Sequence, residues 1–264
     1  MSSCRVVCLF VKLTFYIFAG MGLIKRYRET LPDFSFLGTD IHNHVIPGID
    51  DGSPTLEESM RMLRLWADLG YRKVITTPHV ITATYPNTRE TILGQLYLLR
   101  DRIAEEGIDI ELEASGEYHL DYEFIERLES GELIGVGSRR VVLLELPFHQ
   151  PLVGLDEVLK QVRKAGYAPV IAHPERYTYM IGRIKLHEEL KAMGVWFQLN
   201  LGSLLGQYGQ QVKVTARRLI DAGLVDMVGS DAHHGGHLEN LRNVLSDKYF
   251  VKLTKRQTLL NREL

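Results

Sequence analysis

From Phe36 onward the chain alternates two hydrophobic rhythms: short apolar runs, and longer stretches whose apolar side chains recur every three or four residues. The runs are strand-like and the stretches helix-like. Strands are expected at 37–42, 73–77, 110–114, 141–144, 168–172, 195–199 and 226–229. Ser53-Pro54, followed by the Thr55-Leu-Glu-Glu58 capping box, predicts a helix that ends at Gly70, along which Met60, Leu63, Ala67 and Leu69 keep a helical rhythm. Ile92, Leu96, Leu99 and Ile103 do the same for a helix over 88–106, and further helices are expected at 122–129, 155–165, 184–193 and 215–222. About seven such strand-helix units with short connections predict an α/β fold, a parallel barrel with its helices outside.

Ahead of this domain, residues 6–24 are mostly apolar but interrupted by Lys12, and Lys25-Arg26-Tyr27-Arg28 follows. The stretch reads as a signal peptide, a marginal membrane anchor, or sequence upstream of a start at Met21; the last is preferred, because everything after Thr30 has an ordinary soluble pattern. The expected division is a leader over 1–30 and a barrel domain over 31–264.

Composition narrows the function classes. A chain of 264 residues that is 45% hydrophobic can bury a large core, and its net charge of −2 lacks the basic excess that nucleic-acid binders use on phosphates. Both cysteines, Cys4 and Cys8, fall in the leader. No disulfide framework supports the fold, no thiol is offered to the chemistry, and a reducing compartment fits best.

The chemistry sits at the strand ends. His42 and His44, one residue apart at the end of a strand, point the same way and can reach one ion. His79, Glu117, Glu145, His173, Asp231 and His233 likewise fall at or just after the C-terminal end of a predicted strand, where barrels of this kind build active sites. The acidic pair Asp50-Asp51 adds a ninth donor, and nine exceed what one tetrahedral ion takes, so two or three ions are implied. Mixed imidazole and carboxylate donors suit zinc, manganese or iron. Ions ~3.5–4 Å apart can activate a shared water and neutralise charge on a phosphoryl group. Arg176, three residues beyond His173, suits phosphate oxygens, although it would also serve as an ion-pair partner of Glu175 or of a neighbouring ligand. Asp50 reads as a turn-former. His119, His149 and His187 read as surface or interface residues, and Tyr85 as a loop residue that packs or stacks on an aryl substrate.

Asp40-Ile-His-Asn-His44, Asp50-Asp51-Gly52, Thr77-Pro-His79, Gly116-Glu117, Ala172-His-Pro-Glu-Arg-Tyr177 and Ser230-Asp-Ala-His233 resemble the motif set of the polymerase and histidinol phosphatase (PHP) superfamily. Within it, the chain from about Phe36 onward is most similar to the bacterial manganese-dependent protein tyrosine phosphatases of capsule and exopolysaccharide operons. That resemblance implies a distorted seven-stranded TIM-like β/α barrel with metals at the C-terminal ends of the strands. It implies one ion on His42, His44 and Asp231, with Glu117 bridging to a second that Glu145 and His173 complete. Asp51, rather than Asp50, would hold the third with His79 and His233. Arg176 matches the family's phosphate-binding arginine. A second arginine, present in some members after the Ser-Asp-x-His motif, has no close counterpart here: the nearest is Arg242, and His234 or His237 stands in its place.

The implied activity is hydrolysis of phosphotyrosine by direct attack of metal-activated water, with Mn2+ as first choice and Fe, Zn or Co as alternatives. The implied partner is a phosphotyrosine protein, a membrane tyrosine autokinase that controls polysaccharide export. The implied location is the cytoplasm or the inner face of the membrane, with homo-oligomerisation left open. A small-molecule phosphoesterase of the histidinol phosphatase type is the alternative.

Overall fold

A computed structural model describes residues 29–264. The expected signal peptide, anchor or start at Met21, and both cysteines, lie outside the described residues. No helix among the described residues is long and apolar enough to cross a membrane.

Among the described residues nine strands, all parallel, form a curled sheet in two hydrogen-bonded pieces. The first piece has the order β1 (Thr39–Asp40), β2 (Lys73–Thr76), β4 (Glu111–Ala114). The second runs β3 (His79–Val80), β5 (Glu117–His119), β6 (Val141–Glu145), β7 (Ala168–Ala172), β8 (Trp196–Asn200), β9 (Met227–Gly229). Each of the seven expected strand positions carries a strand, yet the expected single seven-stranded ladder is not what the hydrogen bonds draw. Pro78, which has no N–H to donate, separates β2 from β3, and Ser115-Gly116 separates β4 from β5.

The helices are α1 (Leu56–Asp68), α2 (Arg89–Glu106), α3 (Phe124–Glu129), α4 (Leu155–Lys164), α5 (Ile184–Ala192), α6 (Leu201–Leu205), α7 (Gln210–Ala222), α8 (Gly235–Leu241) and α9 (Lys248–Arg256). The cap of α1 is Thr55, whose hydroxyl accepts from the Glu58 amide, so Ser53 and Pro54 precede the helix instead of opening it. Helix α7 begins five residues before the expected 215, because Val212 is buried on the same face as Thr215, Ala216 and Leu219. The motif-poor helices α6, α8 and α9 have no counterpart in the sequence expectation.

Strand alternation divides the apolar residues into two cores. Ile75, Val141, Leu143, Val170 and Met227 fill the barrel interior, whereas Val142, Leu144, Ile171, Phe197 and Leu199 face the helices. The interior is apolar at the N-terminal ends of the strands. Two residues beyond Leu143 on the same face comes Glu145, and β8 places Gln198 and Asn200 at the same level.

The seam between β1 and β9 is made largely by side chains. Asn261, fully buried, donates to the Thr39 and Val228 carbonyls at 3.0 and 2.8 Å and accepts the Val228 amide at 3.0 Å. Higher up, the Asp40 carboxylate accepts from the Ser230 amide and from Trp66 Nε1, at 3.1 and 2.6 Å. At the mouth, main-chain bonds run from Asp231 to His42 and from His44 to Ala232.

Removing the Asn261 amide strands buried groups of both strands. Asn261→Ala is expected to cost ~2–4 kcal/mol of stability, read from urea unfolding, where an unchanged midpoint would show that the seam does not depend on it.

Candidate metal centre

All nine residues expected as ligands meet at the C-terminal mouth of the barrel. They form groups of donor atoms that lie within 4.8 Å of one another: His44, Asp51, His79 and His233; His42, His44 and Glu117; His42, His173 and Asp231; and His79, Glu117 and Glu145. His42, His44, Glu117 and His173 have at most 1% of their surface exposed, while Asp51 lies at the open edge.

Local structure explains their aim. His173 and Asp231 both adopt left-handed backbone, φ 32° and φ 50°, the chain turning sharply at the end of β7 and just beyond β9 so that each side chain enters the mouth. Tyr177 braces the His173 turn: its hydroxyl donates to the Ala172 carbonyl at 2.8 Å and accepts the Leu146 amide at 3.0 Å. The Asp50-Asp51-Gly52 turn lies so close to His44 that a Cβ at Gly52 would sit 2.2 Å from the His44 carbonyl oxygen. Asp50 forms the turn, as expected, through the Gly52 amide. Its other oxygen also bonds His44 Nδ1 at 2.8 Å and the His79 amide at 3.0 Å.

The donor spacing fits cations. His42 Nε2 lies 3.2 Å from Glu117 Oε2 and 3.4 Å from Asp231 Oδ1; His44 Nε2 lies 3.5 and 3.4 Å from the same two oxygens. Donors ~2.1 Å from a shared ion stand roughly 3–3.5 Å from each other. Glu117 Oε1 turns the other way, 2.9 Å from His173 Nε2, which is 3.7 Å from Glu145 Oε1. At the edge, Asp51 Oδ1 stands 3.4 Å from His79 Nε2 and 3.5 Å from His233 Nε2. His42 Nε2, His44 Nε2, His79 Nδ1 and Glu117 Oε2 are buried without a hydrogen-bond partner. Four orphaned polar atoms converging on one space are costly unless a cation joins them.

Electrostatics carry the same message. Burial raises the pKa of Glu117 and Asp231, but the surrounding imidazoles, with Arg176 beside Asp231, outweigh it and hold both well below the carboxylate range. Burial lowers His42, but Glu117 and Asp231 raise it to about 9, and His44 is driven up in the same way by Asp231 and Asp50. The buried acids are neutralised either by protons on the imidazoles or by cations that displace them.

Arg176 lies at the mouth with Nη1 2.8 Å from Asp231 Oδ2, so its ion-pair partner is Asp231 and not Glu175. Glu175 accepts instead from the Asn200 amide and the Ser203 hydroxyl, at 3.0 and 2.7 Å. The guanidinium is held between the Phe148 and Tyr208 rings, 5.1 and 4.2 Å from their centres. Tyr85 stacks on His79 at 5.6 Å and 12°. Arg242 donates to the Asp68 carbonyl at the end of α1 and is no part of the mouth, whereas His237 accepts from the His233 amide through Nδ1 and lies tilted against exposed His234.

Two expectations need correction. His187 is not a surface residue but fully buried between the Arg183 and Pro174 carbonyls. His119 is half-buried at the rim, its Nδ1 3.0 Å from Glu145 Oε2. Phe148, Gln198, Asn200 and Tyr208 belong to the site and were not anticipated. The only signal for the amides is their polarity at alternate positions of the otherwise apolar strand Trp196–Asn200.

Comparison with known proteins agrees with this geometry. The family described as Capsular polysaccharide synthesis, CpsB/CapC, matches residues 38–258. The chain is 31% identical over 195 residues to the tyrosine-protein phosphatase YwqE of Bacillus subtilis, covering 74% of this chain and 77% of that protein. It is 27% identical over 225 residues to the tyrosine-protein phosphatase CpsB of Streptococcus pneumoniae, covering 82% and 93%. A solved structure of those proteins, described as unique metal-dependent tyrosine phosphatases, superposes with a TM-score of 0.73 at 29% identity, over 84% of this chain and 96% of that one. A lactonase, Lmo2620 from Listeria monocytogenes, shares the fold with a TM-score of 0.53 at 14% identity, over 88% and 95% of the two chains.

The pKa shift of His42 sets a pH dependence. Its folded pKa, about 9, lies above the unfolded 6.5, so its contribution to stability is full below 6.5 and is lost as pH rises through 9. Chelator-treated protein is expected to melt at progressively lower temperature across that window, and adding Mn2+ at neutral pH to release protons into weak buffer. A flat melting profile together with no proton release would contradict the charge balance described here.

Proposed function

The chain belongs to the CpsB/CapC family of capsular polysaccharide synthesis, and on that footing we propose that it is a metal-dependent protein-tyrosine phosphatase whose substrate is a membrane tyrosine autokinase controlling capsule or exopolysaccharide export. The observation that carries the reading is the convergence of nine acids and imidazoles on one mouth, with four of their ligand atoms buried and unpartnered. Residues 31–264 make up the catalytic barrel, acting at the cytoplasmic side of the membrane.

His42, His44, Glu117 and Asp231 would hold one ion, Glu117, Glu145 and His173 a second, and Asp51, His79 and His233 a third, with Mn2+ the first choice. Bound divalent ions would lower the pKa of water and neutralise charge on the phosphoryl group. The chain's own groups do the rest. Arg176, paired with Asp231 through Nη1 and lying against the Phe148 and Tyr208 rings, would present its other nitrogens to the phosphate oxygens. A phenol leaving group has a pKa of about 10, so its departure needs little help from an acid. Tyr85, stacked on His79 at the rim, offers a face to the substrate ring.

With Mn2+ supplied, phosphotyrosine peptide should be hydrolysed in preference to histidinol phosphate, and the opposite preference would replace this reading. Glu117→Ala is expected to abolish turnover together with metal retention. Arg176→Ala should lower kcat/KM by ~10²-fold at unchanged metal content, the loss typical of one charge-stabilising donor.

A further inference from the structure

Strand β8 supplies none of the nine donors, yet it sends two uncharged side chains into the centre. Gln198 and Asn200 lie two apart on its inward face, and neither has any exposed surface. Gln198 Oε1 is 2.7 Å from His42 Nδ1, Gln198 Nε2 donates to Asn200 Oδ1 at 2.9 Å, and Asn200 Nδ2 donates to Asp231 Oδ2 at 2.6 Å. The chain of bonds thus begins behind His42 and ends behind Asp231, whose facing atoms, Nε2 and Oδ1, are 3.4 Å apart across the mouth.

Both ends fix the direction of this relay. The backbone N–H of His173 also points at Gln198 Oε1, at 3.4 Å, so an oxygen must stand there. The ionised Asp231 carboxylate can only accept, so Asn200 must present its NH2 to it. With the two amides oriented this way, Nδ1 of His42 has to carry a proton in every state, so Nε2 is the nitrogen whose proton a cation displaces and whose lone pair it then takes. Space for the contact is provided by Gly229, where a Cβ would come within 2.7 Å of His42 Cβ and 2.8 Å of Gln198 Nε2. Gln198 and Asn200 have no unpartnered side-chain atom, whereas His42 Nε2 has no partner.

We infer that Gln198 and Asn200 are positioning residues: an amide relay that sets the tautomer of His42 and the rotation of Asp231, so that both aim at the same cation. The relay rests on the reading of the mouth as a metal centre. Histidine ligands held through their other nitrogen lose ~10–100-fold in metal affinity when that partner is removed.

The test uses the full chain and Mn2+ or Zn2+ alone. Dissociation constants are measured by chelator competition for the parent protein, Gln198→Leu and Gln198→Glu. Imidazole 15N shifts are recorded on the Zn2+ forms, and melting on the chelator-treated forms. Gln198→Leu is expected to weaken the tightest ion by ~10–100-fold and to broaden or split the His42 signal. Gln198→Glu, which keeps an oxygen facing Nδ1–H but offers no N–H to Asn200 Oδ1, tests the His42 end of the relay and is expected to restore the single Nδ1-protonated form. Unchanged affinity in Gln198→Leu, even with a lowered melting temperature, would reduce the relay to core packing and overturn the proposal. Should Gln198→Leu not fold, Gln198→Glu decides alone: retention of the single Nδ1-protonated form of His42 supports the relay, and its loss overturns it. A parent protein that binds neither ion would remove the metal centre itself, an outcome distinct from failure of the relay.

Discussion

Uncompensated charge at the mouth of the barrel is the constraint from which the remaining features follow. Glu117 and Asp231 are buried and ionised, and such groups persist inside a protein only when cations or fixed donors answer them. Around them the chain arranges imidazoles from four separated segments, the guanidinium of Arg176 and the amides of β8. The left-handed turns at His173 and Asp231 belong to the same arrangement, since they bring side chains inward at points where an extended strand would have carried them past the mouth.

The barrel makes this affordable by separating tasks along each strand. One face of β6 carries Val141 and Leu143 into an apolar plug and then Glu145 into the centre, while the opposite face, Val142 and Leu144, packs on helices. Stability is generated below and outside, and polar groups are concentrated where strands end. The interruptions at Pro78 and Ser115-Gly116 come at that boundary, and the short strands β3 and β5 beyond them carry His79 and Glu117.

Much of this was legible in the sequence because period and punctuation agree. The run 168–172 was readable to the residue, being apolar throughout and stopped by His173-Pro174, and eight of the nine donors were visible as charged or imidazole side chains at or just after such runs, Asp51 being separated from Asp50 by the family resemblance alone. What escaped was whatever depends on a partner distant in the chain. His187 looks like any helix-surface histidine until the Pro174 carbonyl is placed against it, and Gln198 looks like a lone polar interruption until His42 is set beside it. Short helices such as Leu201–Leu205 carry too few residues for a periodic signal, and the start of α7 was hidden because Val212 alone marks its first turn.

The Asn261 latch has a consequence in time. The side chain that knits the first strand to the last follows the Thr39 carbonyl it holds by 222 positions, so every donor of the mouth is synthesised before it. Most of the mouth is therefore synthesised long before its two edges can be fastened. Cations would then meet a half-open cradle before Asn261 emerges and a closed ring after it, which makes the order of ion uptake and ring closure a property of biosynthesis as much as of affinity.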